Sequence, residues 1–190
     1  MNTIEVSPYD YEQGGYPNDL VPVYEGAWLF DVTTISDNAL VTILQNELKD
    51  IDLSEFDEQV GALPGGVALE HDNAFVITPG CCGDIGAIHD WEEMLQAPSA
   101  IWQQLWIGHP WIYYRKRDTD IEFSHYTELG PDSLDELQIL VRVPLSDLRT
   151  ELARIRVQQH VFSKRIEVAL EGLGMAHAVE IAKLMTAFSL

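Results

Sequence analysis

Cysteine is nearly absent from this chain: there are two in 190 residues, and they are adjacent, Cys81 and Cys82. A disulfide framework is therefore not expected. Basic residues are also scarce. Eleven Lys and Arg stand against thirty-one Asp and Glu, a formal net charge of −20. Residues 1–75 hold a single lysine, Lys49, beside fifteen acids. Nucleic acid binding needs phosphate neutralisation by Lys and Arg, so this charge argues against it. Anionic membrane surfaces are disfavoured on the same ground. No apolar run approaches the roughly 18–20 residues that span a bilayer. The start, Met1-Asn2-Thr3-Ile4-Glu5, lacks a basic region followed by an apolar one, so no secretory signal is expected and a cytoplasmic location is.

The familiar catalytic signatures are missing too. Gly83-Asp84-Ile85-Gly86 lacks the lysine and the spacing of a phosphate loop. No His-Glu-x-x-His helix, EF-hand loop or Gly-x-Ser-x-Gly elbow occurs. No metal or cofactor is implied.

What is present suits one globular domain spanning residues 1–190. Hydrophobic residues make up 46% and charged residues 22%, enough to bury a core without staples. Residues 1–20 read as an irregular arm. Ser7-Pro8-Tyr9-Asp10 and the stretch from Gln13 through Gly14 to Asp19 carry turn chemistry. Val21 to Tyr24 suggests a short edge strand and Ala27 to Val32 a better one. Ser36 or Asp37 caps a helix in which Ala39, Leu40, Ile43, Leu44 and Leu48 recur at helical spacing. Residues 51–62 form an acidic connector with at most one helical turn.

Val67 to Glu70 and Ala74 to Thr78 suggest a hairpin. A short helix follows from Asp90, with Asp90 and Glu93 as a capping-box-like pair, and stops before Pro98. Ala100 to Trp106 leans towards helix. Trp111 to Arg115 and Ile121 to Tyr126, rich in aromatic and β-branched residues, form the clearest hairpin. Leu137 to Val143 is a further strand. Ser146 then caps a long helix to about Glu171, Gly172-Leu173-Gly174 breaks it, and Met175 to Ala187 returns. Residues 146–190 are thus a helical hairpin. Tight turns between strands and segregated helices predict an α+β fold, with a mostly antiparallel sheet and helices on one face.

Chemistry concentrates around Pro79-Gly80-Cys81-Cys82-Gly83-Asp84. Adjacent cysteines make a poor chelate, because zinc sites prefer spacings of two to four residues and a second pair. His71, His89 or His109 with Asp84 would have to converge on the loop to hold a metal. A thiol enzyme is the second reading, with Cys81 or Cys82 activated by His89 or by the following helix N-terminus. Asp84 and Asp90 oppose that activation. The third reading is a glycine-shaped loop that forms part of a binding surface.

Three of five tryptophans, Trp102, Trp106 and Trp111, fall within ten residues, beside His109, Tyr113, Tyr114, Phe123, His125 and Tyr126. Such residues anchor interfaces or fill cores, and strand alternation allows both. Arg115-Lys116-Arg117 reads as a solvated hairpin tip.

The run 79–86, with Trp91 and His109-Pro110-Trp111-Ile112-Tyr113-Tyr114-Arg115, resembles small bacterial proteins similar to SUKH-type immunity proteins. The likeness covers roughly residues 63–126. It implies a non-enzymatic α+β domain that binds and neutralises a toxin, often a nuclease.

The expectation is therefore an acidic binding protein for a basic partner. Its candidate contact residues are Cys81, Cys82, Asp84, Trp91, Trp106, His109, Trp111, Tyr113 and Tyr114. Asp52, Glu55, Asp57 and Glu58 would steer the partner electrostatically. Thiol chemistry at Cys81, Cys82 and His89 is the alternative, as is a small-molecule or metal pocket floored by the same loop.

Overall fold

A computed structural model describes residues 1–13, 15–97, 100–128 and 131–188. Gly14 and Pro98, expected to mark a turn and a helix stop, lie outside them. The fold is α+β with antiparallel sheets. In chain order its elements are β1 (Asn2–Glu5), α1 (Pro8–Gln13), β2 (Leu29–Asp31), α2 (Asp37–Leu48), α3 (Phe56–Gln59), β3 (Gly65–Val67), β4 (Leu69–His71), β5 (Ala74–Ile77), α4 (Ile88–Gln96), β6 (Gln103–Leu105), β7 (Ile112–Lys116), β8 (Asp120–Ser124), β9 (Ile139–Pro144), α5 (Leu145–Gly172) and α6 (Ala178–Thr186). Short 3-10 helices occur at Leu53–Glu55, Ile85–Ala87 and Pro131–Glu136. No helix among the described residues is long and apolar enough to cross a membrane.

The chain forms two compact units, each discontinuous in sequence. The first comprises Met1 and Gly66–Arg156. Its centre is the antiparallel sheet β6-β7-β8-β9. The register places Tyr114 opposite Phe123, and Phe123 opposite Val141. With period two, Ile112, Tyr114, Ile121, Phe123, Val141 and Val143 share one face. Ile88, Trp91 and Met94 of α4 and Leu148, Leu152 and Ile155 of α5 bury against it. β4 and β5 make a separate hairpin. Its two loop residues, Asp72 and Asn73, both have positive φ, the geometry that matches strand twist in a two-residue turn.

The second unit comprises Asn2–Gly65 and Val157–Leu190. β1 pairs antiparallel with β2. Ser36 Oγ accepts the Ala39 N–H at 3.2 Å and caps α2. Ala39, Leu40, Ile43, Leu44 and Leu48 form its buried stripe as the spacing predicts. Arg165 of α5 donates to the Val32 carbonyl at 3.1 Å, to the Ile35 carbonyl and to Asp37 Oδ1 at 2.8 Å, tying down the chain that enters α2. The C-terminal part of α5 and α6 pack as a hairpin, joined by a buried hydrogen bond of 2.6 Å from Gln159 Nε2 to the Thr186 carbonyl.

Several local expectations change. The arm at 1–20 contains β1 and α1, because Ile4 and Val6 bury fully and Pro8 suits a helix's first turn. Residues 21–24 are not a strand, and 103–105 form β6 rather than a helix. β6 is an edge whose pairing with β7 supplies what its own pattern lacks. Asp90 lies inside α4, not at its cap. The cap belongs to the preceding 3-10 turn, where Asp84 Oδ1 accepts the Gly86 N–H at 2.6 Å.

Candidate functional site: a bridged loop pair with exposed aromatic residues

In the first unit the cysteine loop is laced to the connection between β6 and β7. Cys81 and His109 form an antiparallel bridge. The Gly80 N–H donates to the Ile107 carbonyl at 2.6 Å, and the His109 N–H to the Cys81 carbonyl at 3.1 Å. Two glycines make this approach possible. A Cβ on Gly80 would strike the His109 carbonyl, and one on Gly108 would strike the Cys81 and Gly80 carbonyls. Gly108 also has φ +92°, which L side chains rarely adopt. The Cys81 thiol contacts the His109 carbonyl oxygen at 3.6 Å, and both cysteines are exposed.

A third strand of chain joins them. Trp111 and Thr127 form another bridge. Tyr126, singled out in the aromatic cluster but not among the candidate contact residues, holds Thr78 through its hydroxyl. The His109 and Trp111 rings meet edge-on, with centroids 5.6 Å apart. Trp106 is 42% exposed and Tyr126 37%. Glu128 lies 4.0 Å from His109. The outcome is a rim on which His109, Trp111 and Tyr126 are held by these contacts, with exposed Trp106 at the start of the same connection.

Three expected contact residues do not belong to that rim. Trp91 is fully buried, packed 5.6 Å from Phe123. Tyr113 and Tyr114 are also buried. Alternation puts the two on opposite faces of β7, and both faces are covered at this end of the strand, whereas Arg115 and Lys116 at the other end are only partly buried. Burial, followed by the charges of Glu93 and Asp90, pushes the Tyr114 hydroxyl above its ordinary pKa. Asp90 is raised as well, chiefly by burial and then by Glu93.

His89, the base expected for thiol chemistry, is engaged by Arg156. Arg156 Nη2 lies 2.8 Å from His89 Nδ1 and bonds Glu92 Oε1 through Nε at 2.7 Å. A guanidinium only donates, so Nδ1 must be the unprotonated nitrogen, and the ring proton of neutral His89 sits on Nε2. While this contact holds, the imidazole has no lone pair to take a thiol proton. Among the described residues no three His, Cys, Asp or Glu side chains converge as a metal ion requires. A cavity of about 320 Å³ in this unit is lined by Leu69, Trp91, Leu148 and Leu152 among others, and by no residue of the cysteine loop.

The four steering residues lie in the second unit, and all are exposed. Asp52 accepts from Ser54 Oγ at 2.7 Å and Ser54 N at 2.9 Å, which lowers its pKa. Glu55 accepts from Gln59 at 3.1 Å. Asp57 and Glu58 open α3.

No family model, curated protein or solved structure matches the chain. The likeness to SUKH-type proteins rests on the motif residues alone.

Proposed function

We propose that this chain is a non-enzymatic, acidic binding protein that docks a basic protein partner on the rim formed by Trp106, His109, Trp111 and Tyr126. The observation that carries the reading is the lacing of the cysteine loop to the β6–β7 connection. It fixes large aromatic surfaces in place before binding, and a preorganised anchor loses little conformational freedom on docking. The charge of −20 names the complementary partner. In its immunity-type form, the partner is a toxin such as a nuclease, whose own substrate site is basic. Cys81 and Cys82 then serve as small side chains in a shaped loop rather than as nucleophiles.

The test is a low-salt pull-down from native lysate with the wild type and with a Trp106→Ala/Trp111→Ala variant. The expected result is one basic protein recovered in 1:1 ratio, at least about tenfold less of it with the variant, and loss of the complex as salt rises. Recovery of no stoichiometric basic partner overturns the proposal, as does equal recovery by both proteins.

A further inference from the structure

The outer face of the four-stranded sheet carries an arrangement unlike the rest of this acidic molecule. Arg115 of β7 stands directly opposite Glu122 of β8, and Glu122 opposite Arg142 of β9. Arg117, just beyond β7, reaches the same carboxylate. Glu122 Oε2 accepts from Arg115 Nε at 2.8 Å, Arg115 Nη2 at 2.6 Å and Arg117 Nε at 3.3 Å. Its Oε1 accepts from Arg142 Nε at 2.8 Å. Three of these N–H groups converge on Oε2 and one on Oε1, so both carboxylate oxygens are bonded. The Glu122 side chain is only 4% exposed. Burial alone would raise its pKa, but the Arg115 and Arg117 guanidiniums outweigh that and hold it low. Arg115 is further fixed under the Trp102 ring, with Cζ 4.3 Å from the centroid.

Three guanidiniums around one carboxylate leave two positive charges uncompensated. Arg115 spends its fork on Glu122. Arg117 and Arg142 bond it through Nε, and among the described residues neither pairs with another acid. Their side chains are 45% and 63% exposed. Asp118 and Asp120 share the hairpin turn, but Asp120 takes the Thr119 hydroxyl at 2.8 Å and neither acid pairs with an arginine. A chain with thirty-one acids thus leaves two oriented forks facing solvent.

We propose that this face is an oxyanion site in which Arg117 and Arg142, oriented by Glu122 as a positioning residue, grip a phosphoryl group. Two planar forks with a surplus of two charges match a tetrahedral dianion, whose three or more terminal oxygens let each fork take two, sharing one where the phosphate is esterified. A monocarboxylate has only two oxygens and cannot serve both. The phosphoryl group comes from free phosphate or from a phosphate monoester.

The experiment follows the arginine Nε–Hε resonances of the ¹⁵N-labelled full chain. It is titrated with inorganic phosphate, phosphoserine or acetate at constant ionic strength. The expected result is saturable shifts at Arg117 and Arg142 with phosphate or phosphoserine and none with acetate. Tighter binding of phosphoserine assigns the site to a monoester, and equal or tighter binding of phosphate to the free ion. Arg117→Ala/Arg142→Ala should abolish saturation. Arg142→Lys, which keeps the charge and loses the fork, should weaken binding about tenfold and guards against a double variant that fails to fold. Phosphate should also raise the melting temperature of the wild type and not that of the double variant. The proposal is overturned if neither phosphate species saturates, if acetate binds as well, or if Arg142→Lys binds as tightly as the wild type.

Discussion

Tyr126 and Thr78, forty-eight positions apart, are held together by two hydrogen bonds. The Thr78 N–H donates to Tyr126 Oη at 2.6 Å, and the Tyr126 hydroxyl donates to the Thr78 carbonyl at 3.1 Å. One phenol thereby closes the end of β5 onto the strand end that follows β8. Tyr126→Phe removes both bonds while keeping the ring. The expected loss is about 1 kcal/mol, because water reaches this site and replaces part of what is removed. Urea unfolding of the two proteins measures it, and an unchanged midpoint would show that the phenol does not clamp the loop.

Gly80→Ala asks whether the laced loop pair is structural. The added methyl would overlap the His109 backbone, which has no flexible end to move aside. A destabilisation of about 2–4 kcal/mol is expected, the range for overpacking and backbone displacement. Gly61→Ala, where nothing lies within 4 Å, is the matched control and should change stability by less than about 0.5 kcal/mol. Equal effects at the two positions would contradict the geometry.

Glu122→Gln leaves three arginines around a neutral amide. The expected cost is about 2–3 kcal/mol at neutral pH. That is below the usual figure for breaking a buried pair, since Arg117 and Arg142 are half exposed or more. The pH dependence has a fixed sign. Glu122 is held below its ordinary value of 4.5, so its contribution is complete above that value and lost as pH falls through the folded pKa. The gap between wild type and variant in chemical denaturation should therefore close below about pH 4.5. A gap constant across acid pH would mean that the Glu122 carboxyl has the same pKa folded and unfolded, so that the arginines do not hold it low.

Iodoacetamide should alkylate both cysteines of the folded protein, since both are exposed. His89→Ala should leave the rate unchanged within about twofold, because Arg156 occupies the nitrogen that a base would need. A tenfold slowing in that variant would restore His89 as an activating base and revive the thiol enzyme.

Local signals were readable wherever one face of an element decides its burial. The stripe of α2 from Ala39 to Leu48 emerges from period, because burial repeats with the element's own geometry, and the β7–β8 hairpin from its aromatic and β-branched content. β6 did not, since Gln103-Gln104-Leu105 becomes a strand only by pairing with β7. β1 did not, because Asn2 and Thr3 are polar yet buried. Trp91 shows the same limit in the site. Its neighbours marked it as a contact residue, whereas packing on Phe123 places it in the core.

By itself, the sequence determined the acidic character, the α+β class, the glycine-shaped loop at Cys81-Cys82 and the spacing that makes it a poor chelate. These depend on composition and on residues close along the chain. Only the tertiary structure decided that His109 and Tyr126 meet that loop, that Arg156 occupies His89, and that a hairpin tip read as solvated closes on a buried glutamate with Arg142 beside it. Each of those facts requires residues between five and sixty-seven positions apart to share one place. Side-chain period carries no information about which distant segments will pair, because strand register and helix docking are set by the whole buried surface.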